Sequence, residues 1–384
     1  MLTRRFFLAF GGAAAGVASV GFPRMAFARA NTNRRFVFII QRGAADGLHV
    51  VAPTGDPSFV GIRGDFAQDF GAGAKLGSFF TLHPALAETA KMYADREALF
   101  VHAVASPYRD RSHFDGQNVL ETGGSAAYRV KDGWMNRLLG LLPHDEAKAL
   151  ALSATVPMAL RGAHEVASYA PSKLPAPSDD LLMRVAALYE PDPQLHALWS
   201  TAMQTRMTAG DVSGGAGQNA AATGALAAKM LAGETGARIA MIENGGWDTH
   251  SGQRGRLNAQ LRGLDQMLSA MKTGLGADWA DALVLVATEF GRTVAPNGTG
   301  GTDHGQASAA MLLGGAVKGG EVIADWPGLS RGALYEGRDL KPTIDLDALI
   351  AGALAQHYVL EPARVMTTLF PESRGRAFGK LLVA

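Results

Sequence analysis

The sequence predicts an α/β fold, a doubly wound and mainly parallel β-sheet flanked by helices. Two observations predict it. Four short runs, Arg35–Gln41 (RFVFIIQ), Leu99–Ala105 (LFVHAVA), Ala237–Glu243 (ARIAMIE) and Leu283–Ala287 (LVLVA), are apolar without polar alternation. That is the pattern of strands buried on both faces. Segments with helical spacing or capping signals separate them, and alternating strands and helices build a parallel sheet with helices on both sides. The composition agrees, with 47% hydrophobic and 18% charged residues over 384 positions.

Residues 1–30 read as a targeting segment outside the fold. Thr3-Arg4-Arg5-Phe6-Phe7-Leu8 is a twin-arginine pattern, an apolar stretch follows to Phe22, and Ala26-Phe27-Ala28 or Ala28-Arg29-Ala30 offers a small-x-small cleavage site. The expectation is export to the periplasm with the twin-arginine translocase as partner, and a single domain over residues 31–384. Outside the signal no apolar run is long enough to span a membrane, so no integral membrane segment is expected after cleavage.

The whole chain carries +1, and the first thirty residues hold four arginines and no acid, so the remainder carries −3. This excludes a basic nucleic-acid binder. There is no cysteine, which excludes disulfides, thiolate zinc sites, iron–sulfur clusters and cysteine nucleophiles.

In chain order, RFVFIIQ opens the domain and ends at a glycine-bearing turn that holds Asp46. Thr54–Thr81, rich in glycine and aspartate, reads as a long loop or lid. Pro84–Arg96 reads as a helix opened by proline. After LFVHAVA comes a polar stretch with Ser112 near the start of a helix that runs to about Thr122. Asp132 is expected to cap a short helix through Leu142, and Ala149–Thr155 to form a strand. Leu181–Thr208 reads as two helices broken at Pro191 and Pro193, Gly210–Gly217 as a surface loop, and Ala220–Ala232 as an alanine-rich helix. ARIAMIE then leads into Asp248 and His250. A helix over Leu257–Leu275 precedes LVLVA, a strand is expected over Ala307–Leu313, and helices over Asp345–His357 and Pro362–Leu369 close the chain.

The chemistry collects at strand ends. In open α/β sheets ligands bind outside the carboxyl ends of the strands. The first strand delivers Asp46, ARIAMIE delivers Asp248 and His250, and LVLVA delivers Glu289 and then Asp303-His304. Carboxylates with imidazoles suit a divalent ion such as zinc, manganese or iron, and two such ions about 4 Å apart clamp a tetrahedral anion. Each residue also has a plainer reading. Asp46 suits a turn before glycine, and His304 suits a hydrogen-bonded loop.

The segments GAADGLHVVAP, SHFDGQ, GWDTHSGQ, ATEFGRT and GTDHG occur in this order, and with the signal they resemble the twin-arginine-exported bacterial family catalogued as domain of unknown function 1501. That family is similar to the alkaline phosphatase, sulfatase and phosphoglycerate mutase superfamily. The resemblance implies an alkaline phosphatase-like fold and one or two divalent metal ions held by Asp46, Asp248, His250, Glu289 and His304. It makes Ser112 the hydroxyl nucleophile, against its plainer role as an N-cap. The chain departs from the superfamily pattern where Glu289-Phe290 replaces an Asp-His pair and where Asp248 and His250 are separated by one residue. His113 and Asp303 are candidates to complete the ligand set. Arg42, Arg109, Arg111 and Arg292 lie near the same edge and suit a phosphate or sulfate, or else surface ion pairs. The implied activity is metal-dependent hydrolysis of a small anionic ester. The alternative is a non-catalytic periplasmic binding or assembly protein that keeps the fold.

Overall fold

A computed structural model describes residues 33–143, 149–170, 179–209 and 219–383. The twin-arginine segment and the Gly210–Gly217 loop lie outside them. Strands β1 (Arg35–Gln41), β2 (Val51–Ala52), β3 (Ala74–Leu76), β4 (Phe80–Leu82) and β5 (Ala98–Ala105) come first. They are followed by β6 (Ala149–Leu152), β7 (Ala167–Ser168), β8 (Ile239–Asn244), β9 (Ala282–Ala287), β10 (Ser308–Leu313), β11 (Glu321–Ile323) and β12 (Ile344–Asp345).

Among the described residues, nine strands form one sheet in the order β11-β5-β10-β9-β1-β8-β6-β7, with β12 alongside β5. Pairing is parallel throughout except for β10, which runs antiparallel to both β5 and β9. The sheet is therefore mixed and mostly parallel, with helices on both faces.

β1 shows why its sequence lacks alternation. Phe36, Phe38 and Ile40 enter one apolar layer, which also contains the Leu346–His357 and Pro362–Leu369 helices. Val37 and Ile39 enter the opposite layer, with the Ala220–Leu231 and Gln253–Leu275 helices. Successive side chains of a strand point to opposite faces, so a strand covered twice must be apolar at every position.

Three expectations are corrected. The stretch from Thr54 to Thr81 contains a short helix (Phe59–Arg63), a 3₁₀ segment (Gly64–Phe70) and strands β3 and β4, which pair into a small sheet with β2. Phe59, Arg63, Phe66 and Phe70 are buried there, so it is a packed subdomain edge and not a lid. Asp132 does not cap its helix. Gly133 holds the N-cap position of Trp134–Leu139, and the Asp132 carboxylate instead accepts from Arg137 Nη1 at 2.7 Å. The helix expected from Pro84 begins at Ala87. Among the described residues, no helix is long and apolar enough to cross a membrane.

Candidate metal centre

The carboxyl ends of β1, β5, β8 and β9 share one edge of the sheet. Because β10 is antiparallel, its amino end lies at that same edge. This brings His304, four residues before β10, beside residues that follow the parallel strands. The β9–β10 connection folds back as an irregular ribbon, with Arg292 bridged to His304 and Thr293 N bonded to Asp303 O at 2.8 Å. Gly305 makes the close approach feasible, since a Cβ there would lie 2.4 Å from Arg292 C. His113 is the first residue of the His113–Thr122 helix, which follows β5. Asp248 and His250 follow β8, and Gly43, at φ +114°, leaves room for Asp248 N where a Cβ would lie 2.5 Å away.

His113, Asp248 and His304 each bring a ligand-type atom within 4.8 Å of the other two. Asp248 Oδ1 lies 3.5 Å from His113 Nε2, 3.3 Å from His304 Nε2 and 3.0 Å from His250 Nε2. His250, with a side chain 45% exposed, closes the outer side, its Nε2 3.0 Å from His304 Nε2.

The other ring nitrogen of each histidine is committed. His113 Nδ1 meets Glu289 Oε1 at 2.8 Å, His304 Nδ1 meets the Arg111 carbonyl at 2.9 Å, and His250 Nδ1 meets Asp303 Oδ1 at 3.1 Å. A carbonyl or carboxylate oxygen only accepts, so each Nδ1 carries a proton, and Nε2 is the nitrogen each neutral ring has free for a ligand. An outer acceptor that fixes the tautomer is the arrangement of metal-ligating histidines. His113 Nε2 is buried and has no hydrogen-bond partner among the described residues, an orphaned nitrogen of the kind an ion would satisfy.

The spacing also fits. Bonds of about 2.0–2.1 Å at tetrahedral angles set ligand atoms about 3.3 Å apart, and Asp248 Oδ1 lies 3.3 and 3.5 Å from the Nε2 atoms of His304 and His113. The donor set, imidazole with carboxylate, suits zinc, manganese or iron.

The electrostatics are tuned around this cluster. Burial opposes the charge on Asp248, yet the hydrogen bond from Arg292 Nη1, at 2.6 Å, holds its carboxyl below the usual range. Burial likewise opposes charge on Glu289, and its bonds from His113 and Gln117 lower it again. The hydrogen bond to Glu289 raises His113, whereas burial lowers His304. Bonding to Asn297, ahead of the opposing effect of burial, and then to His250 lowers Asp303.

Glu289 stands one layer behind His113. Its Oε1 accepts from Gly43 N, His113 Nδ1 and Gln117 Nε2, and its Oε2 from Thr288 Oγ1. Asp46 lies at the carboxyl end of β1, as read from the sequence, but outside the cluster. It is fully buried, with Oδ1 accepting from Leu48 N at 3.1 Å. Its Oδ2 accepts from Arg63 Nη2 and Gln253 Nε2, both at 2.6 Å. Burial opposes its charge, and Arg63, His49 and Gln253 together hold its carboxyl below the usual range. A guanidinium from the Thr54–Thr81 excursion thus takes the position beside Asp46 that the sequence reading assigned to an ion.

Ser112 occupies the N-cap position beside His113, but its hydroxyl makes no capping bond, and its N–H donates to Tyr108 Oη. All four arginines are engaged within the chain. Arg42 pairs with Glu243 and Glu121, and Arg111 with Asp339 and Glu336. Arg109 donates to the carbonyls of Ser106 and Tyr108, and Arg292 to Asp248 and Thr302. Sequence reasoning missed Gln117, Gln253, Thr302 and Arg63. The two glutamines sit inside SHFDGQ and GWDTHSGQ, but an uncharged amide carries no ligand signature.

Fold and site together define an α/β protein with a two-histidine, one-aspartate cluster of metal-ligating type, His113, Asp248 and His304, at the carboxyl edge of its sheet. Residues 75–370 match the family described as Protein of unknown function (DUF1501), and the chain belongs to that family. The matched span contains His113, Asp248, His250 and His304. No curated protein matches the chain.

Proposed function

We propose that the protein is an exported, metal-dependent hydrolase of small anionic esters, phosphate or sulfate, built on an alkaline phosphatase-like fold. The observation that carries this reading is the gathering of three Nε2 atoms within 3.5 Å of Asp248 Oδ1, each imidazole held from behind by an oxygen acceptor. His113, Asp248 and His304 hold the ion, with His250 at the outer side. A bound divalent ion supplies polarisation of an ester oxygen and activation of water near neutral pH. The chain does the rest. Arg292 keeps Asp248 ionised and aimed, Glu289 keeps the proton of His113 on Nδ1, and Asp303 does the same for His250. Ser112, adjacent to His113, is the nearest hydroxyl in sequence for a covalent route. The Asp46–Arg63 pair favours one ion over two.

The test is hydrolysis of 4-nitrophenyl phosphate and 4-nitrophenyl sulfate with added zinc, manganese or iron. Turnover that disappears in His304→Ala and on chelation supports the reading. Metal-independent turnover, or equal turnover in His304→Ala, overturns it.

One observation favours a second reading, a non-catalytic binding or assembly protein with a structural ion. All four edge arginines are satisfied by internal partners, and four protein ligands suffice to close a tetrahedral shell. A tightly held ion with no turnover of either ester would select it.

A further inference from the structure

A second polar site lies away from the histidine cluster. A cavity of about 610 Å³ opens between the Gln253–Leu275 helix and the segment that leads into Ala87–Ala94, lined by Asp69, His83, Arg254, Asn258 and Arg262 among others. Arg254, Asn258 and Arg262 recur every four residues, so they share one face of the helix. The polar side chains of the lining are donors apart from one acid, with Asn258 able to donate as well as accept. Arg262 is exposed and has no ion-pair or hydrogen-bond partner among the described residues. His83 is buried, and its Nδ1 accepts from Ala85 N at 3.1 Å, which leaves the proton on Nε2. That Nε2–H has no partner among the described residues. Burial lowers His83 to about 4, so it is a neutral donor at ordinary pH. The one acid, Asp69, is already taken by Arg254 Nε at 2.8 and 3.0 Å and by His49 Nε2 at 3.0 Å.

Asp69 is also the end of a buried chain of hydrogen bonds. Arg292 Nε donates to Thr302 Oγ1 at 3.2 Å, and Thr302 Oγ1 donates to Gln253 Oε1 at 2.6 Å. Gln253 Nε2 donates to His49 Nδ1 at 3.0 Å, and His49 Nε2 donates to Asp69 Oδ2. Every donor in it points the same way, and Thr249 Oγ1, also on Gln253 Oε1, fixes the amide orientation. Arg292, Thr302, Gln253 and His49 are at most 1% exposed. At its head Arg292 holds Asp248. Buried polar chains of this kind are rigid only while every member is satisfied.

We propose that this cavity is a regulatory site for a small oxyanion, and that its occupancy is read at Arg292 and Asp248 through the buried chain. An oxyanion between Arg254 and Arg262 draws the Arg254 guanidinium from Asp69. Asp69 then rests on His49 alone, and the chain behind it readjusts as far as Arg292. Such coupling is reciprocal, so a change at Asp248 alters oxyanion affinity by the same factor. The inference goes beyond the hydrolase reading and stands without it.

The test uses the full chain stripped of metal, with sulfate as the probe. Sulfate binding is measured by calorimetry, and the Arg292 Nε–H resonance is followed by NMR during the same titration. The expected result is saturable binding that moves this resonance with the same midpoint. Arg262→Ala, at an exposed position, weakens binding tenfold or more. Thr302→Val binds sulfate within twofold of the parent, but the Arg292 resonance no longer follows it. Absence of saturable binding, undiminished binding in Arg262→Ala, or an Arg292 resonance unmoved at saturation overturns the proposal. None of these outcomes depends on whether the protein binds metal or hydrolyses an ester.

Discussion

His250 Nε2 and His304 Nε2 face each other at 3.0 Å, while the Nδ1 of each ring is bonded to an oxygen acceptor. Asp248 Oδ1 lies 3.0 and 3.3 Å from the same two nitrogens, so two imidazoles and a carboxylate crowd one point, a donor set that a divalent cation satisfies. The cluster is thus built to take up positive charge. Arg292 meets part of that need from one side, through Asp248.

The outer carboxylate of His113 is the first place to probe. In Glu289→Gln the amide no longer holds the proton on His113 Nδ1 with a full charge. Partners of this type contribute about 10–100-fold in metal affinity. We expect a loss of that size in zinc affinity, measured by competition with a chromophoric chelator, and an unchanged circular dichroism spectrum. Asp303→Asn, at a half-exposed position, should lose less.

Acid stability is set elsewhere. His102 and His357 are fully buried, and burial lowers them to about 4 and about 3. Both are neutral when folded and take a proton once the chain opens. Stability from them is complete above the unfolded value, about 6.5, and is lost as pH falls from there towards the folded values. At pH 5 each costs about 2 kcal/mol. The midpoint of thermal unfolding of metal-free protein should therefore drop steeply between pH 6.5 and 4. His357→Gln should flatten that slope, and an equally steep slope in the variant would refute the assignment.

The Asp46–Arg63 pair is buried on both sides. Arg63→Met leaves an uncompensated carboxylate, a change that costs about 3–5 kcal/mol. Arg63→Met with Asp46→Asn should recover most of this, as read from denaturant midpoints. If the single variant were as stable as the parent, Asp46 would have another source of charge compensation.

Metal linkage supplies a further check. A ligand that binds only the folded state at a hundred times its dissociation constant stabilises by about 2.7 kcal/mol. Saturating zinc should raise the unfolding midpoint by several degrees, a chelator should reverse the shift, and His304→Ala should show neither effect.

Much of the framework was legible in the residues. A strand covered on both faces must be apolar throughout, so β1, β5, β8 and β9 declared themselves within two residues of their ends. Asp248, His250 and His304 were legible as ligand types at strand ends, and His113 as a residue able to complete the set. Strand direction was not legible, because an apolar run such as Ser308–Leu313 reads the same in either orientation, yet antiparallel β10 is what carries His304 to the site. Partners far apart in the chain were hidden too. Nothing local marks Arg63 as the counter-ion of Asp46, or Glu336 and Asp339 as partners of Arg111, because those pairs form only when distant segments meet.

The most direct measurement is metal content by mass spectrometry on folded protein prepared with metal in excess, for the parent, His113→Ala/His304→Ala and Arg63→Met/Asp46→Asn. The account predicts one equivalent of a transition metal in the parent, none in the histidine double variant, and one equivalent still in the Asp46 double variant. A folded parent that binds no metal, or an equivalent that is lost with Asp46 and kept without the two histidines, would contradict it.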